Sequence, residues 1–189
     1  IEKFPEDIDD PSVDYRVVRN ATRTFPKLMD FLNKRGAFPA GALRIGEILD
    51  ETVLPEYDFF VPFPERSLTK KYRKEYFYVF HDKVALIKTS FGCPYTCRFC
   101  FCREITGRKY YERPLPEVLK EIESIEEEEV YIIDDDFLLN PQRVTSFIAL
   151  LREHKLKKRF LVYGRADFIA CNPEIMKSLF STPTHPTLK

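Results

Sequence analysis

The sequence VALIKTSFGCPYTCRFC, residues 84–100, is the most informative segment of this chain about its fold class. Its first four residues form an apolar run with the length of a buried strand. A glycine and three cysteines follow that strand within a short loop. A buried strand that ends in a loop with several metal-ligating side chains predicts a binding site at the carboxyl end of the strand.

Two further units of the same kind follow along the chain. The first strand leads to an amphipathic helix that begins near Leu115, and apolar runs at 130–133 and 160–163 predict two more strands. Asn140 and Asn172 are predicted to cap the helices after these strands, because each precedes a proline at the first helical position. Three consecutive strand-helix units predict an α/β fold with a parallel sheet and right-handed crossovers.

A polar cluster follows each predicted strand. The cysteines follow the first strand, Asp134-Asp135-Asp136 follows the second, and Gly164-Arg165-Ala166-Asp167 follows the third. Because the carboxyl ends of parallel strands lie at one edge of a sheet, we expect an active site where these clusters meet. The alternative is a solvated acidic turn that caps a helix, with Arg165 paired to Asp167.

The region before the first strand has a different character. Residues 1–80 are poorly periodic and contain scattered prolines, so they are expected to be irregular and linker-like, with one short helix from Pro26 to Gly36. Residues 81–189 are expected to form the α/β domain. The final residues, 181–189, show no periodicity, which suggests that the chain is truncated.

Composition limits the compartment and the partners. Thirty basic and thirty acidic residues give a formal net charge of zero, so no global field favours nucleic acid or an anionic membrane. No apolar run is long enough to span a membrane and the N-terminus is acidic, so we expect a soluble, cytoplasmic protein without a signal peptide. Four of the five cysteines fall within ten residues, which indicates metal or redox chemistry rather than disulfides.

The three cysteines of the loop have the spacing C-x3-C-x2-C. Thiolates at this spacing can reach three irons of a four-iron cluster and leave the fourth iron open, as a catalytic metal centre requires. A zinc site that adds Cys102 is disfavoured because Cys100 and Cys102 are too close in sequence, and a ferredoxin-type carrier needs a further cysteine followed by proline. Cys102 is therefore expected to be a small loop residue, and Cys171 a buried thiol.

On this motif the sequence resembles the radical S-adenosylmethionine (SAM) superfamily, whose signature is C-x3-C-x2-C with an aromatic residue, here Phe99, before the last cysteine. The resemblance implies that Cys93, Cys97 and Cys100 bind a 4Fe-4S cluster whose open iron binds SAM, with Phe99 near the adenine. It also implies a partial parallel (β/α) barrel of the radical SAM type, of which the first three units are present. The implied enzyme cleaves SAM to a 5'-deoxyadenosyl radical, and it needs a small-molecule substrate and a one-electron donor such as flavodoxin or ferredoxin.

The segment after the second strand resembles one branch of this superfamily. Where members commonly have Gly-Gly-Glu, this chain has Asp134-Asp135-Asp136-Phe137, followed by Asn140 and Arg143, which is similar to the branch that carries a cobalamin-binding domain. The branch implies a cobalamin-dependent methyltransferase or cyclase. The Asp-x-His-x-x-Gly motif of cobalamin binding is absent, so that domain is expected to lie outside this chain. SAM contacts are expected from Phe99, Asp134, Asp135, Asp136 and Arg165, and which carboxylate touches SAM stays open.

Two alternatives remain at this point. The basic and aromatic stretch from Lys70 to Tyr78 could contact RNA in a tRNA-modifying member of the superfamily, although we favour its resemblance to the connector ahead of the barrel. The other alternative is a non-catalytic iron-sulfur or zinc module. Since three strands cannot enclose a radical, the chain alone is expected to bind a cluster without substrate-coupled turnover.

Overall fold

The computed structural model describes residues 10–180, without the side chains of Glu51, Arg103 and Phe180. The predicted irregular tail, residues 181–189, lies outside the described residues. The chain divides into two compact units, Ile1–Phe63 and Pro64–Lys189. Residues 64–80, expected to belong to the irregular N-terminal region, lie in the second unit.

The first unit contains one helix and one small sheet. Strand β1 (Tyr15–Val17) pairs antiparallel with β2 (Ala42–Arg44), and helix α1 (Ala21–Leu32) lies between them in sequence. The predicted start of α1 at Pro26 was wrong, because the helix begins five residues earlier and contains the proline. Asn20 sets the observed start: its side chain bonds the backbone of Glu56 and Asp58, and its own backbone is left-handed, with φ 52°.

The second unit is built on a three-stranded parallel sheet. The strands and α-helices of this unit, in chain order, are β3 (Phe77–Tyr78), β4 (His81–Asp82), β5 (Ala85–Ile87), β6 (Ser90–Phe91), α2 (Cys102–Ile105), β7 (Tyr111–Glu112), α3 (Leu115–Ser124), β8 (Glu129–Ile132), α4 (Pro141–Glu153), β9 (Arg159–Val162), α5 (Ala166–Cys171) and α6 (Pro173–Phe180). The sheet order is β5-β8-β9, with both pairs parallel. The three predicted strand-helix units are therefore confirmed.

The core lies between this sheet and its helices. Alternate strand residues such as Ile87, Val130 and Ile132 are buried against the apolar faces of α3 and α4, where Val118, Ile122, Val144, Phe147 and Ile148 lie. Leu86, between Ala85 and Ile87 in β5, lies on the other face of the sheet and is exposed. The predicted cap of α4 is present, because the Asn140 side chain accepts a hydrogen bond from the Arg143 N–H at 3.2 Å.

Helix α5 was not predicted, because six residues are too few to show a helical period. The prediction of a buried Cys171 was wrong, since this residue ends α5 and is exposed. Among the residues that the structure describes, no helix is long and apolar enough to cross a membrane.

A 3-10 helical segment, Arg66–Glu75, is tied to the sheet unit by ion pairs. Arg73 donates to Glu127 at 2.5 Å and to Glu126 at 2.6 Å. Arg66 donates to the buried Glu121 at 2.9 Å and to the Leu86 carbonyl at 3.0 Å. Arg66 and Arg73 thus bind carboxylates of the same unit, which indicates a structural role for these two arginines.

The Arg73–Glu127 pair predicts an acid-sensitive part of the stability. Burial alone would raise the pKa of Glu127, but the hydrogen bond and charge of Arg73 lower that pKa below its ordinary 4.5. A carboxyl whose folded pKa is lowered stabilises the fold above the unfolded pKa, and this contribution is lost as the pH falls through the folded pKa. We therefore expect Arg73→Gln to lower the urea midpoint at pH 7, with the difference from the unmodified chain narrowing below pH 4.5.

The matched control is Lys71→Gln, which removes one positive charge from the same segment. The Lys71 ammonium lies over the Tyr72 ring rather than on a glutamate. A difference in urea midpoint that is constant from pH 7 to pH 3, or that is equal in the two variants, would contradict the assignment.

Candidate active site

The cysteines lie in a loop held at both ends by a short hairpin. We call residues 92–110 the cysteine loop; it leaves strand β6 and returns in strand β7. These strands pair antiparallel, with Ser90 opposite Glu112 and Phe91 opposite Tyr111. The hairpin was not predicted, because strands of two residues carry no alternation that a sequence pattern can show.

The loop begins at a position that admits only glycine. Gly92 has φ 78°, and a Cβ built there would lie 2.0 Å from the Lys109 carbonyl oxygen and 2.7 Å from the Thr106 hydroxyl. The two ends of the cysteine loop therefore approach each other at backbone distance. A side chain at this position would push them apart.

Cys93, Cys97 and Cys100 are all partly exposed free thiols. A turn brings the last two together, since the Cys100 N–H donates to the Cys97 carbonyl at 3.1 Å. Burial raises the pKa of the Cys93 thiol, and the nearby carboxylates of Asp136 and Asp135 raise it further. A positively charged iron centre offsets this effect, because metal binding favours the thiolate.

The chemistry of these donors fits an iron-sulfur cluster. Three thiolates are the soft ligands that such clusters use. Within residues 10–180, no group of three or more His, Cys, Asp or Glu side chains is placed to hold a single metal ion. A cluster does not require that convergence, since each thiolate binds a different iron.

The first two aspartates after β8 bond to the chain that leads into the cysteine loop. Buried Asp134 accepts hydrogen bonds from the Thr89 N–H at 2.6 Å, the Thr89 hydroxyl at 2.5 Å and the Ser90 hydroxyl at 2.8 Å. Asp135 accepts from the Gly92 N–H at 2.9 Å and lies 3.4 Å from the Lys88 ammonium. These donors explain how adjacent carboxylates tolerate one another.

Asp136 is the exception among the three aspartates. It is buried, and neither carboxylate oxygen has a hydrogen-bond partner among the residues that the structure describes. Burial raises the pKa of Asp136, and the nearby Leu138 N–H and Arg165 guanidinium offset this only in part. A buried carboxylate in this state would be stabilised by a cationic group.

Arg165 connects the end of the third strand to the cysteine loop. Its guanidinium pairs with Asp167 through bonds of 2.9, 3.2 and 2.7 Å, which raises the pKa of Arg165. The same guanidinium lies over the Tyr95 ring, 3.9 Å from its centroid. Phe99 projects into solvent with 92% of its surface exposed. The structure thus brings the three predicted strand-end clusters together at one edge of the sheet.

Several residues that hold this edge were not identified from the sequence. Thr89 and Ser90 bond to Asp134, and the Thr89 carbonyl accepts from the Arg143 guanidinium at 3.1 Å. Arg113 donates to the Lys88 carbonyl at 2.6 Å and pairs with Glu121 at 2.8 Å. A polar Thr-Ser pair directly after a buried strand was the available signal.

Comparison with known proteins agrees with this architecture. Residues 87–183 match the Radical SAM superfamily. The chain is 28% identical over 155 residues to the hopanoid C-3 methylase of Methylococcus capsulatus, covering 80% of this chain and 30% of that protein. It is 24% identical over 182 residues to an uncharacterized methyltransferase of Synechocystis, sll1242, covering 91% of this chain and 30% of that protein. The chain therefore spans about three tenths of the length of these curated relatives.

Two solved structures share the fold. The first is OxsB, a cobalamin-dependent SAM radical enzyme with aqua-cobalamin and SAM bound, with TM-score 0.65 and 21% identity over 94% of this chain and 27% of that one. The second is the radical SAM methyltransferase TsrM of Kitasatospora setae, with TM-score 0.54 and 18% identity over 83% of this chain and 35% of that one. The match of more than half of the chain, together with the fold and the cysteine spacing, shows that this protein belongs to the radical SAM superfamily.

Proposed function

We propose that this chain is part of a radical SAM enzyme in which Cys93, Cys97 and Cys100 hold a 4Fe-4S cluster. The observation that carries the proposal is the position of the three-cysteine loop, which lies at the carboxyl edge of the parallel sheet beside Asp136 and Arg165. When bound and reduced, the cluster supplies the electron that cleaves SAM to methionine and a 5'-deoxyadenosyl radical. The chain itself supplies the thiolates, the orientation of the loop and the groups around SAM.

Of the five residues expected to contact SAM, we propose direct contacts for Phe99, Asp136 and Arg165. The buried carboxylate of Asp136 has no hydrogen-bond partner among the described residues, and it suits the ammonium group of SAM because an opposite charge offsets its desolvation. Arg165 suits the SAM carboxylate, and exposed Phe99 offers a ring for the adenine. The oxygens of Asp134 and Asp135 already accept hydrogen bonds from residues 89–92, so their contribution to SAM binding would act through the loop.

We further propose that the whole enzyme is a cobalamin-dependent methyltransferase that acts on a small molecule. The names of both curated relatives, a methylase and a methyltransferase, support methyl transfer over cyclisation. Cobalamin is supported by the Asp134-Asp135-Asp136-Phe137 segment with Asn140 and Arg143, and its domain would lie outside these residues. A cytoplasmic location and a flavodoxin or ferredoxin donor belong to the same proposal, since the free thiols need a reducing compartment.

The proposal is tested by loading the chain with iron and sulfide under anaerobic conditions, adding dithionite and SAM, and measuring 5'-deoxyadenosine. Because the parallel sheet has three strands within residues 10–180, we expect slow, uncoupled release of 5'-deoxyadenosine, above the level of a Cys100→Ala control. Release equal to that control from a chain with a full iron and sulfide complement would instead support a non-catalytic iron-sulfur module. Zinc in place of iron would contradict the cluster itself.

A further inference from the structure

We propose that Asp134 is a positioning residue that fixes the start of the cysteine loop, and that it sets the placement of Cys93 rather than contacting SAM. This inference rests on the proposed function for its link to the cluster. The contact of Asp134 with Thr89 and Ser90 involves protein groups only and can be tested without a cluster.

The Asp134 carboxylate accepts three hydrogen bonds from two consecutive residues. It is 3% exposed, and Thr89 and Ser90 are each 1% exposed. One oxygen accepts the Thr89 N–H and the other accepts both hydroxyls, at 2.6, 2.5 and 2.8 Å. A carboxylate has about four acceptor positions, so little capacity remains for another donor. Bonds of this length to a charged acceptor are the strong class of hydrogen bond.

Other groups also hold the same short segment. The Thr89 carbonyl accepts from the Arg113 N–H at 2.9 Å and from the Arg143 guanidinium at 3.1 Å. Asp135 accepts from the Gly92 N–H at 2.9 Å. The N–H, the hydroxyl and the carbonyl of Thr89 are therefore all held by hydrogen bonds.

Cys93 is only three residues beyond Ser90, so the orientation of residues 89–92 affects the position of the Cys93 thiol. Metal and catalytic sites tolerate small displacements of their ligands, about 0.5 Å, before function suffers. The hydroxyl and amide bonds to Asp134 supply this accuracy without any contact between Asp134 and a ligand. The arrangement predicts that loss of either partner loosens Cys93.

The experiment compares Asp134→Asn and Thr89→Val with the unmodified chain. Asparagine removes the charge, and its amide nitrogen can only donate, so both hydroxyls would have to reverse their bonds and the charge-assisted contacts are lost. Thr89→Val keeps the side-chain shape and removes one donor. The readouts are the alkylation rate of Cys93 in the metal-free chain, followed by mass spectrometry, and the electron paramagnetic resonance (EPR) spectrum of the reduced cluster in the loaded chain. We expect Cys93 alkylation to be about tenfold faster in Asp134→Asn and faster in Thr89→Val, with an altered EPR spectrum in both.

The matched control is Glu129→Gln. Glu129 is the first residue of β8, the strand that precedes Asp134. Glu129 bonds His81 at 2.8 Å and Arg159 at 2.5 Å, away from the cysteine loop. The control should change neither Cys93 alkylation nor the EPR spectrum. If Asp134→Asn fails to fold by circular dichroism, the Thr89→Val result decides.

The outcomes separate this inference from the proposed function. Unchanged Cys93 alkylation and EPR spectra in both variants, with weakened SAM binding in Asp134→Asn, would make Asp134 a direct SAM contact and overturn the positioning role while the proposed function stands. Failure of the unmodified chain to bind any iron-sulfur cluster would overturn the proposed function, and the alkylation rates would still test the positioning role.

Discussion

Replacing Cys97 with Ala is expected to abolish cluster binding by this chain. Cys97 lies between the other two proposed ligands, and its carbonyl accepts the Cys100 N–H in the turn that brings the thiols together. Two thiolates leave two irons of the cluster without protein ligands, and the cluster is then lost. Iron and sulfide content after anaerobic loading, together with the visible absorption spectrum, measures the effect. Cys93→Ala and Cys100→Ala should give the same result.

The matched controls are the two remaining cysteines. Cys171 is exposed at the end of α5 and Cys102 begins α2, so Cys171→Ala and Cys102→Ala should both retain the full iron and sulfide content. Retention of a complete cluster in Cys97→Ala, or its loss in Cys171→Ala, would contradict the ligand assignment.

The second large effect is expected from Gly92→Ala. The new Cβ would lie 2.0 Å from the Lys109 carbonyl oxygen, a distance at which the backbone itself must move. The β6–β7 hairpin could then no longer form, and the loop that carries the three thiols would no longer be held at both ends. We expect cluster content as low as that of Cys97→Ala, with the core of the sheet unit still folded by circular dichroism.

Gly46→Ala is the matched control for backbone strain. Gly46 has φ 76°, close to that of Gly92, but a Cβ there meets no heavy atom within 4 Å. It should cost about 1–2 kcal/mol of unfolding free energy from the left-handed conformation alone and leave the cluster intact. Equal cluster loss in both variants would show that strain, and not the approach of Lys109, decides the result.

The sheet and its helices could be predicted from the sequence because each unit has a strong, local signal. The runs at 130–133 and 160–163 are continuous and apolar, and Asn140 and Asn172 stand directly before prolines. The observed strands Glu129–Ile132 and Arg159–Val162 are each displaced by one residue. Hairpin β6–β7, helix α5 and the start of α1 were missed because they depend on tertiary contacts or are too short to show a period.

The candidate site was predictable in its composition and not in its bonding. The cysteine spacing and the polar strand ends identified Cys93, Asp134 and Arg165 from residue types alone. The pairing of Asp134 with Thr89 and Ser90 spans 44 or more residues of sequence and depends on the register of β5 against β8. No periodicity or spacing could assign Asp134 and Asp135 to the loop and leave Asp136 without a hydrogen-bond partner among the described residues.

We propose that Cys93, Cys97 and Cys100 hold a four-iron cluster with one open iron that binds SAM. The most direct measurement is the EPR spectrum of the dithionite-reduced, iron- and sulfide-loaded chain, recorded before and after SAM is added. We expect a cluster signal that requires Cys93, Cys97 and Cys100 and that changes shape when SAM is added. A cluster signal that SAM leaves unchanged, or a loaded chain that contains zinc and gives no cluster signal, would rule out a cluster with an open, SAM-binding iron.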